Sequence, residues 1–294
     1  MRILVVGGTR LVGRHIAQAA IDRGHDVTLF NRGKTDPGAF PDATHLVGDR
    51  NKDLSALAED TWDATIDVSA YTAKQVSLLL AALGDRSGHV TFISTISVYD
   101  AGKIAKRGFT ESAPLLPADF GDVPSMEKYG ELKVGAEKTA MKEARRALLT
   151  IRPGYVIGPY DETGRFNHWV KSVAEGRPFV GPDRDQPLQT VDGRDLAAFT
   201  LEAVERGRSG DFNVTAPQQP PTFAQVLDTI AAALDVSLPE VTWTTAGEGL
   251  PLSSPPQWWP MMHADVSKAV DAGFTWRPVT QTIRDIADYA GIRT

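Results

Sequence analysis

Tyr129 and Lys133 stand four residues apart in a stretch with helical periodicity, so both project from one helix face about a turn apart. A free phenol, with an ordinary pKa near 10, is a poor base at neutral pH; an adjacent ammonium favours the phenolate and brings it into range. Six tyrosines and 31 basic residues in 294 make such a pair easy to obtain by chance, so its surroundings carry the weight. The preceding ISTISVY offers Ser94, Thr95 and Ser97, hydroxyls able to hold a reacting oxygen at the carboxyl edge of a strand, where open α/β sheets bind ligands.

A second constellation opens the chain. VVGGTRLVGRHIAQAA places Gly7, Gly8 and Gly13, with Thr9, Arg10, Leu11 and Val12 between them, where an apolar run gives way to an amphipathic one. A helix N-terminus presents unpaired N–H groups, and glycines let a pyrophosphate approach that backbone. A P-loop would need Lys-Ser/Thr after its last glycine; Arg14 and His15 follow Gly13, which excludes it. About 20 residues further on, dinucleotide folds place an acid for the NAD ribose or a basic group for the NADP 2′-phosphate. Here stand Asn31, Arg32, Gly33 and Lys34, without a carboxylate. Arg32, assisted by Arg10, is the expected phosphate fork, which predicts NADP as cofactor with NAD as the alternative.

These residues need strands to end beside them. Apolar runs at 3–6, 27–30, 64–68, 89–94 and 147–156 predict strands, and the intervening patterns predict helices over 12–23, 54–59, 73–83 and 125–146. Continuous apolar strands separated by helices imply burial on both faces and a doubly wound parallel sheet of the α/β class. After Gly158 prolines gather, from Pro178 to Pro260, and loops with short elements over the sheet's edge are expected, with helices over 195–206, 222–234 and 280–290. The expected division is a dinucleotide-binding Rossmann domain over 1–165, to which 190–206 returns, and a smaller C-terminal substrate-binding subdomain over 166–294. Trp258, Trp259, Met261 and Met262 form an apolar cluster between prolines, either the wall of a pocket for an apolar or ring-shaped substrate or a satellite core.

Composition removes other classes. Hydrophobic residues at 42% and charged ones at 23% are globular averages, which excludes disorder, collagen and a rod. A net charge of −6 opposes phosphate backbones and anionic membranes, so the expected partner is a small-molecule substrate rather than nucleic acid or a membrane. The absence of cysteine removes disulfides, thiol nucleophiles and Cys-ligated zinc. Six histidines without metal-like spacing give no metal site, and no Gly-x-Ser-x-Gly elbow supports a hydrolase. The opening apolar run is too short for a signal peptide and no later segment reaches about 18 apolar residues, so a cytoplasmic protein is expected.

VVGGTRLVG, FISTISVY, YGELKVGAE, IRPGYVIGP, VDGRDLA and DVSKAVDAGFTWRP together resemble the extended short-chain dehydrogenase/reductases of the NAD-dependent epimerase/dehydratase group, over nearly the whole chain. The resemblance implies that Tyr129 is the acid/base, that Lys133 lowers its pKa and binds the nicotinamide ribose, and that Thr95 fills the serine/threonine position. It also implies that Asp49, with Arg50 beside it, contacts adenine, and that Ser69, Ala70 and Pro153 line the cofactor. Three departures stand out: Arg10 replaces a motif glycine, which suits NADP; Leu132 replaces a small hydroxyl residue; and Gln186 stands six residues before Asp192, where nucleotide-sugar enzymes carry a diphosphate-gripping arginine. Arg184, Arg165 or Arg177 would have to substitute. The implied function is NADP-preferring hydride transfer to or from a carbinol or carbonyl carbon. The alternatives are a nucleotide-sugar epimerase or dehydratase with tightly held NAD, and a non-catalytic cofactor sensor or RNA-binding scaffold. Helices near 74–83 and 126–144 resemble those that pair in family dimers, which leaves a homodimer open.

Overall fold

Unbroken β-branched and aliphatic runs build the strands, and the helices between them cover both faces. In the computed structural model, which describes residues 1–104, 107–245 and 249–292, the first half runs β1 (Arg2–Val6), α1 (Leu11–Asp22), β2 (Asp26–Asn31), β3 (Thr44–Val47), β4 (Ala64–Asp67), α2 (Ala73–Leu83), β5 (His89–Ile93), α3 (Tyr129–Glu143) and β6 (Leu148–Pro153). The second half runs β7 (Tyr155–Ile157), α4 (Arg165–Ala174), β8 (Phe179–Gly181), β9 (Thr190–Asp192), α5 (Gly193–Glu205), β10 (Gly210–Val214), α6 (Phe223–Leu234), β11 (Val241–Trp243), α7 (Ser267–Asp271) and α8 (Val279–Tyr289).

Seven strands form one sheet in the order β10-β6-β5-β4-β1-β2-β3, every pair parallel. The fold is thus the expected doubly wound α/β sheet. Its direction of winding reverses between β1 and β4, and the crevice outside their carboxyl ends is where such sheets hold ligands. α1 and α5 cover one face and α2 and α3 the other. Ile3 and Val5 pack under the first pair, Leu4 and Val6 towards the second side, the alternation that buries a parallel strand twice.

Some elements differ from expectation for identifiable reasons. α3 begins at Tyr129 rather than near Ser125, because the Ser125 hydroxyl accepts from the Lys128 N–H and shapes a turn there. The run 147–156 is two strands, since the chain turns at Gly154 to send β7 to pair with β9 outside the main sheet. The stretch 54–59 shrinks to a 3-10 turn at Ser55–Leu57. α4, α6 and α8 surround a second core of Trp169, Phe223, Ile230 and Ile283. A third cluster, with Tyr99, Phe109, Val134, Met261 and Met262, sits beneath the loops between β5 and α3. Among the described residues no helix is long and apolar enough to cross a membrane.

Candidate active site

Gly7 and Gly8 turn the chain out of β1 at φ of 116° and 89°, a region closed to side chains. A Cβ on Gly7 would lie 2.6 Å from Val68 Cγ2, and one on Gly8 would lie 2.8 Å from Leu29 Cδ2. Gly13 does not line the groove. It lets α1 settle on Gly8, whose backbone nitrogen would be 2.6 Å from a Cβ at position 13. Arg10 is the N-cap of α1 and supplies no side-chain cap, so the first N–H groups of the helix are left for another acceptor. A bare, close-approach backbone at a helix N-terminus fits a dinucleotide pyrophosphate.

Around this turn lies a cavity of about 390 Å³ lined by Gly7, Gly8, Thr9, Arg10, Asn31, Arg32, Lys34, Asp49, Arg50 and Ser69. The Asn31 amide donates to the Gly7 carbonyl at 3.2 Å and accepts from the Gly33 N–H at 2.8 Å, tying the end of β2 to the glycine turn. Asp49 accepts from the Asn51 N–H at 3.0 Å, which holds its carboxyl below the usual range with help from Arg32 nearby. Arg50 faces the cavity but is bound elsewhere: it forks onto Asp67 at 2.7 and 2.8 Å and donates to Ser69 Oγ. Burial works against the Asp67 charge, and the Arg50 guanidinium overcomes it, holding that carboxyl below the usual range. Arg10 bridges to Glu162 at 3.1 Å. Arg32 and Lys34 are exposed and, among the described residues, make no salt bridge, although the Arg32 charge is felt by Asp49.

Val68 and Tyr71 line this cavity and also a larger one of about 1020 Å³. Leu11, Val12, Ala70, Thr95, Tyr129, Lys133 and Pro153 all line the second. The structure thus brings every expected site residue except Gly13 to one two-part groove. Thr95 is buried; its hydroxyl donates to Ser97 Oγ and accepts from the Ser97 N–H, each at 3.1 Å. Ser94 Oγ is buried without a partner among the described residues. Tyr71, which the sequence did not single out, brings its ring centroid to 5.8 Å from that of Tyr129.

Lys133 is fixed from the side of the sheet: its Nζ donates to the carbonyls of Ala70 at 2.9 Å and Ile93 at 2.7 Å and sits 4.1 Å from the Phe92 ring centroid. Burial, reinforced by Tyr71, pushes Tyr129 up to about 12, against a Thr95 hydrogen bond and the Arg165 charge. Burial likewise lowers Lys133 to about 7, against the pull of Asp67 and Glu137. At neutral pH the phenol therefore holds its proton and is set to donate it.

The far wall of the large cavity is apolar: Leu116, Met126, Tyr155, Trp258, Met261 and Met262. Of the tryptophan and methionine cluster, Trp258, Met261 and Met262 are pocket wall and the last two also join the third core, while Trp259 is not among the lining and donates to the Ser254 carbonyl at 3.0 Å. Gln186 is wholly buried and serves the wall, not a ligand: it donates to the Leu252 carbonyl at 2.7 Å and accepts from the Ser254 N–H at 2.9 Å. His168 is exposed and its neighbour Trp169 is core. Among the described residues no group of three or more His, Cys, Asp or Glu side chains could hold a metal.

A sequence profile of the NAD dependent epimerase/dehydratase family matches residues 3–215. The chain belongs to that family. Among curated members' relatives it is 28% identical to the chloroplast stem-loop binding protein of 41 kDa b of Arabidopsis thaliana over 73% of this chain and 58% of that protein. It is also 28% identical to the 3-beta-hydroxysteroid dehydrogenase of Mycolicibacterium neoaurum over 55% of this chain and 49% of that protein. The chain thus spans 58% of the first of these proteins and 49% of the second. A crystal structure of UDP-glucose 4-epimerase superposes with a TM-score of 0.78 at 17% identity, covering 99% of this chain and 98% of that one; at that identity the likeness establishes the epimerase fold. The glycine turn Gly7–Gly13 and the Tyr129/Lys133 pair both lie within the matched residues.

Proposed function

We propose that this protein is an NADP-preferring oxidoreductase that reduces a carbonyl group on an apolar, ring-bearing small molecule. The observation that carries the reading is the pair of adjoining cavities, sharing Val68 and Tyr71 as lining, that runs from the glycine turn to the half-buried Tyr129. The dinucleotide, when bound, supplies the hydride. Gly7, Gly8 and the N-terminus of α1 would hold its pyrophosphate, and Arg32 with Lys34, neither in a salt bridge among the described residues, would meet a 2′-phosphate. Lys133, fixed by two strand-end carbonyls, would stand at the ribose. Tyr129 gives its proton to the substrate oxygen, Thr95 orients that oxygen, and the Trp258 and Met261 wall excludes water.

Gln186, spent on Leu252 and Ser254, is a structural amide at the position of a diphosphate grip, so a nucleotide-sugar epimerase would have to use Arg165 on the cavity lining instead; the apolar wall of Met126, Trp258, Met261 and Met262 favours a ring-bearing apolar substrate. The dehydrogenase relative that is named for a steroid substrate supports the apolar wall. The stem-loop binding relative supports the scaffold reading instead, yet a net charge of −6 and a complete Thr95/Tyr129/Lys133 set speak for catalysis. Neither nucleic acid nor a membrane is proposed as a partner. A homodimer through α2 and α3 is proposed on the family likeness, with Met141 exposed on α3; sedimentation over a concentration series checks it. The deciding experiment is a screen of ketones, aldehydes and nucleotide sugars with NADPH and NADH, alongside RNA filter-binding at physiological salt. NADPH oxidation by ring ketones is expected. Turnover of nucleotide sugars alone, or tight RNA binding without turnover, would overturn the reading.

A further inference from the structure

Arg165 opens α4 and lines the large cavity. Its Nε donates to Thr163 Oγ1 at 3.1 Å, and its guanidinium carbon stands 5.5 Å from the Tyr155 ring centroid. Both terminal nitrogens are left without a carboxylate among the described residues. Five other partly buried arginines are neutralised, Arg14 by Asp36, Arg50 by Asp67, Arg152 by Glu137, Arg194 by Asp192 and Arg277 by Asp195; Arg86 is bound to backbone carbonyls, and Arg208, like Arg165, has no carboxylate among the described residues but lies outside the cavity lining. Among the described residues lining the large cavity the other cation is Lys133, whose ammonium is already bound to two carbonyls. The lining carboxylates, Glu127 and Glu131, come from the segment leading into α3 and its first turn, not from the α4 side. Ser254 also lines the cavity, and its Oγ is buried without a partner among the described residues. A half-buried, unspent guanidinium beside an aromatic face and an apolar wall matches an anion attached to a hydrophobic frame.

We propose that the substrate of this site carries an anionic group, a carboxylate or a phosphate, on an apolar ring system, and that Arg165 binds that group while the carbonyl faces Tyr129. This assignment rests on the reductase reading for its chemistry, but not for its binding. Glu127 and Glu131 repel the anion from the α3 rim and so fix which end of the molecule enters towards α4.

The test is calorimetric titration of the NADPH-loaded protein with 2-naphthoate, 2-naphthyl phosphate and the neutral 2-naphthamide. At least about tenfold tighter binding of one anion over the amide is expected, as for a bidentate charged contact, and the better of the two anions identifies the group. Arg165→Met should erase that preference and leave NADPH affinity unchanged; Arg165→Lys should keep part of it. Equal affinity for amide and anions, no binding of either anion, or a preference that survives in Arg165→Met overturns the proposal. Ring ketones with and without a carboxylate are then assayed. An anion preference in binding with no ketone reduced at all would leave Arg165 assigned and sink the reductase reading instead.

Discussion

In the proposed reduction Tyr129 is the proton donor, and burial is the largest influence that keeps its phenol protonated. Tyr129→Phe keeps the ring and removes the proton, so carbonyl reduction should fall by roughly 10²–10⁴ with NADPH affinity retained; stopped-flow hydride transfer and fluorescence titration measure the two. With the phenol up at about 12, wild-type reduction should stay flat from pH 6 to 9, whereas alcohol oxidation should climb with pH. Arg32→Ala should weaken NADPH by about 1.5–3 kcal/mol, the scale of a charge-assisted hydrogen bond, and leave NADH nearly unchanged; equal losses for both would place the cation elsewhere. Lys133 is a base lowered to about 7, so between pH 7 and its unfolded value near 10.4 the unfolded chain binds a proton the folded one lacks. Stability should therefore rise across that window, by up to about 1.4 kcal/mol per pH unit. Thermal unfolding of the cofactor-free protein should show that rise, and Lys133→Met should flatten it. Spacing singled out Tyr129 and Lys133 and the family resemblance implied their roles and that of Thr95, but Lys133's two carbonyl partners and the ring of Tyr71 were not legible, since neither leaves a mark in the local sequence.

At the scale of elements, α3 is keyed to β6 by a buried ion pair. Arg152 on β6 forks onto Glu137 at 3.0 and 2.7 Å and donates to the Tyr99 hydroxyl, which donates in turn to Asn213. Glu137 lies one turn beyond Lys133, so this pair sets the register in which Tyr129 and Lys133 reach the groove. Glu137→Leu leaves the guanidinium with only Asp211 as counter-ion, and a loss of about 3–5 kcal/mol is expected in denaturant unfolding; a loss under about 1 kcal/mol would show that Asp211 suffices. Elements with strong local signals were read closely. α2 starts at its Thr72/Gln75 capping box, and α6 at its Thr222/Gln225 box. The strands β8, β9 and β11, three residues each, are too short to show a period. The break at Gly154 answers to Thr215 Oγ1, 2.4 Å from where a Cβ would sit, a contact 61 residues away in the chain. α4 was missed although Phe166, Trp169, Val170 and Val173 repeat with helical spacing; its start at Gly164, in the left-handed region and without a side-chain cap, hid it.

At the scale of the molecule, two cavities meet at a neck formed by Val68 and Tyr71. In the proposed reaction a dinucleotide held by the residues of the smaller cavity would extend past that neck and complete the floor of the larger one, so ordered binding with the dinucleotide first is expected. Product inhibition should follow suit, with NADP competitive against NADPH and noncompetitive against the carbonyl compound; a random pattern would mean that the larger cavity is complete without it. Ordered addition has a consequence outside the enzyme. When oxidised and reduced dinucleotide contend for the same neck, the fraction of enzyme able to accept substrate follows the ratio of the two in the surrounding fluid and not the supply of substrate. Turnover would then report the reducing power of its compartment, throttling when that pool is drawn down and resuming when it refills.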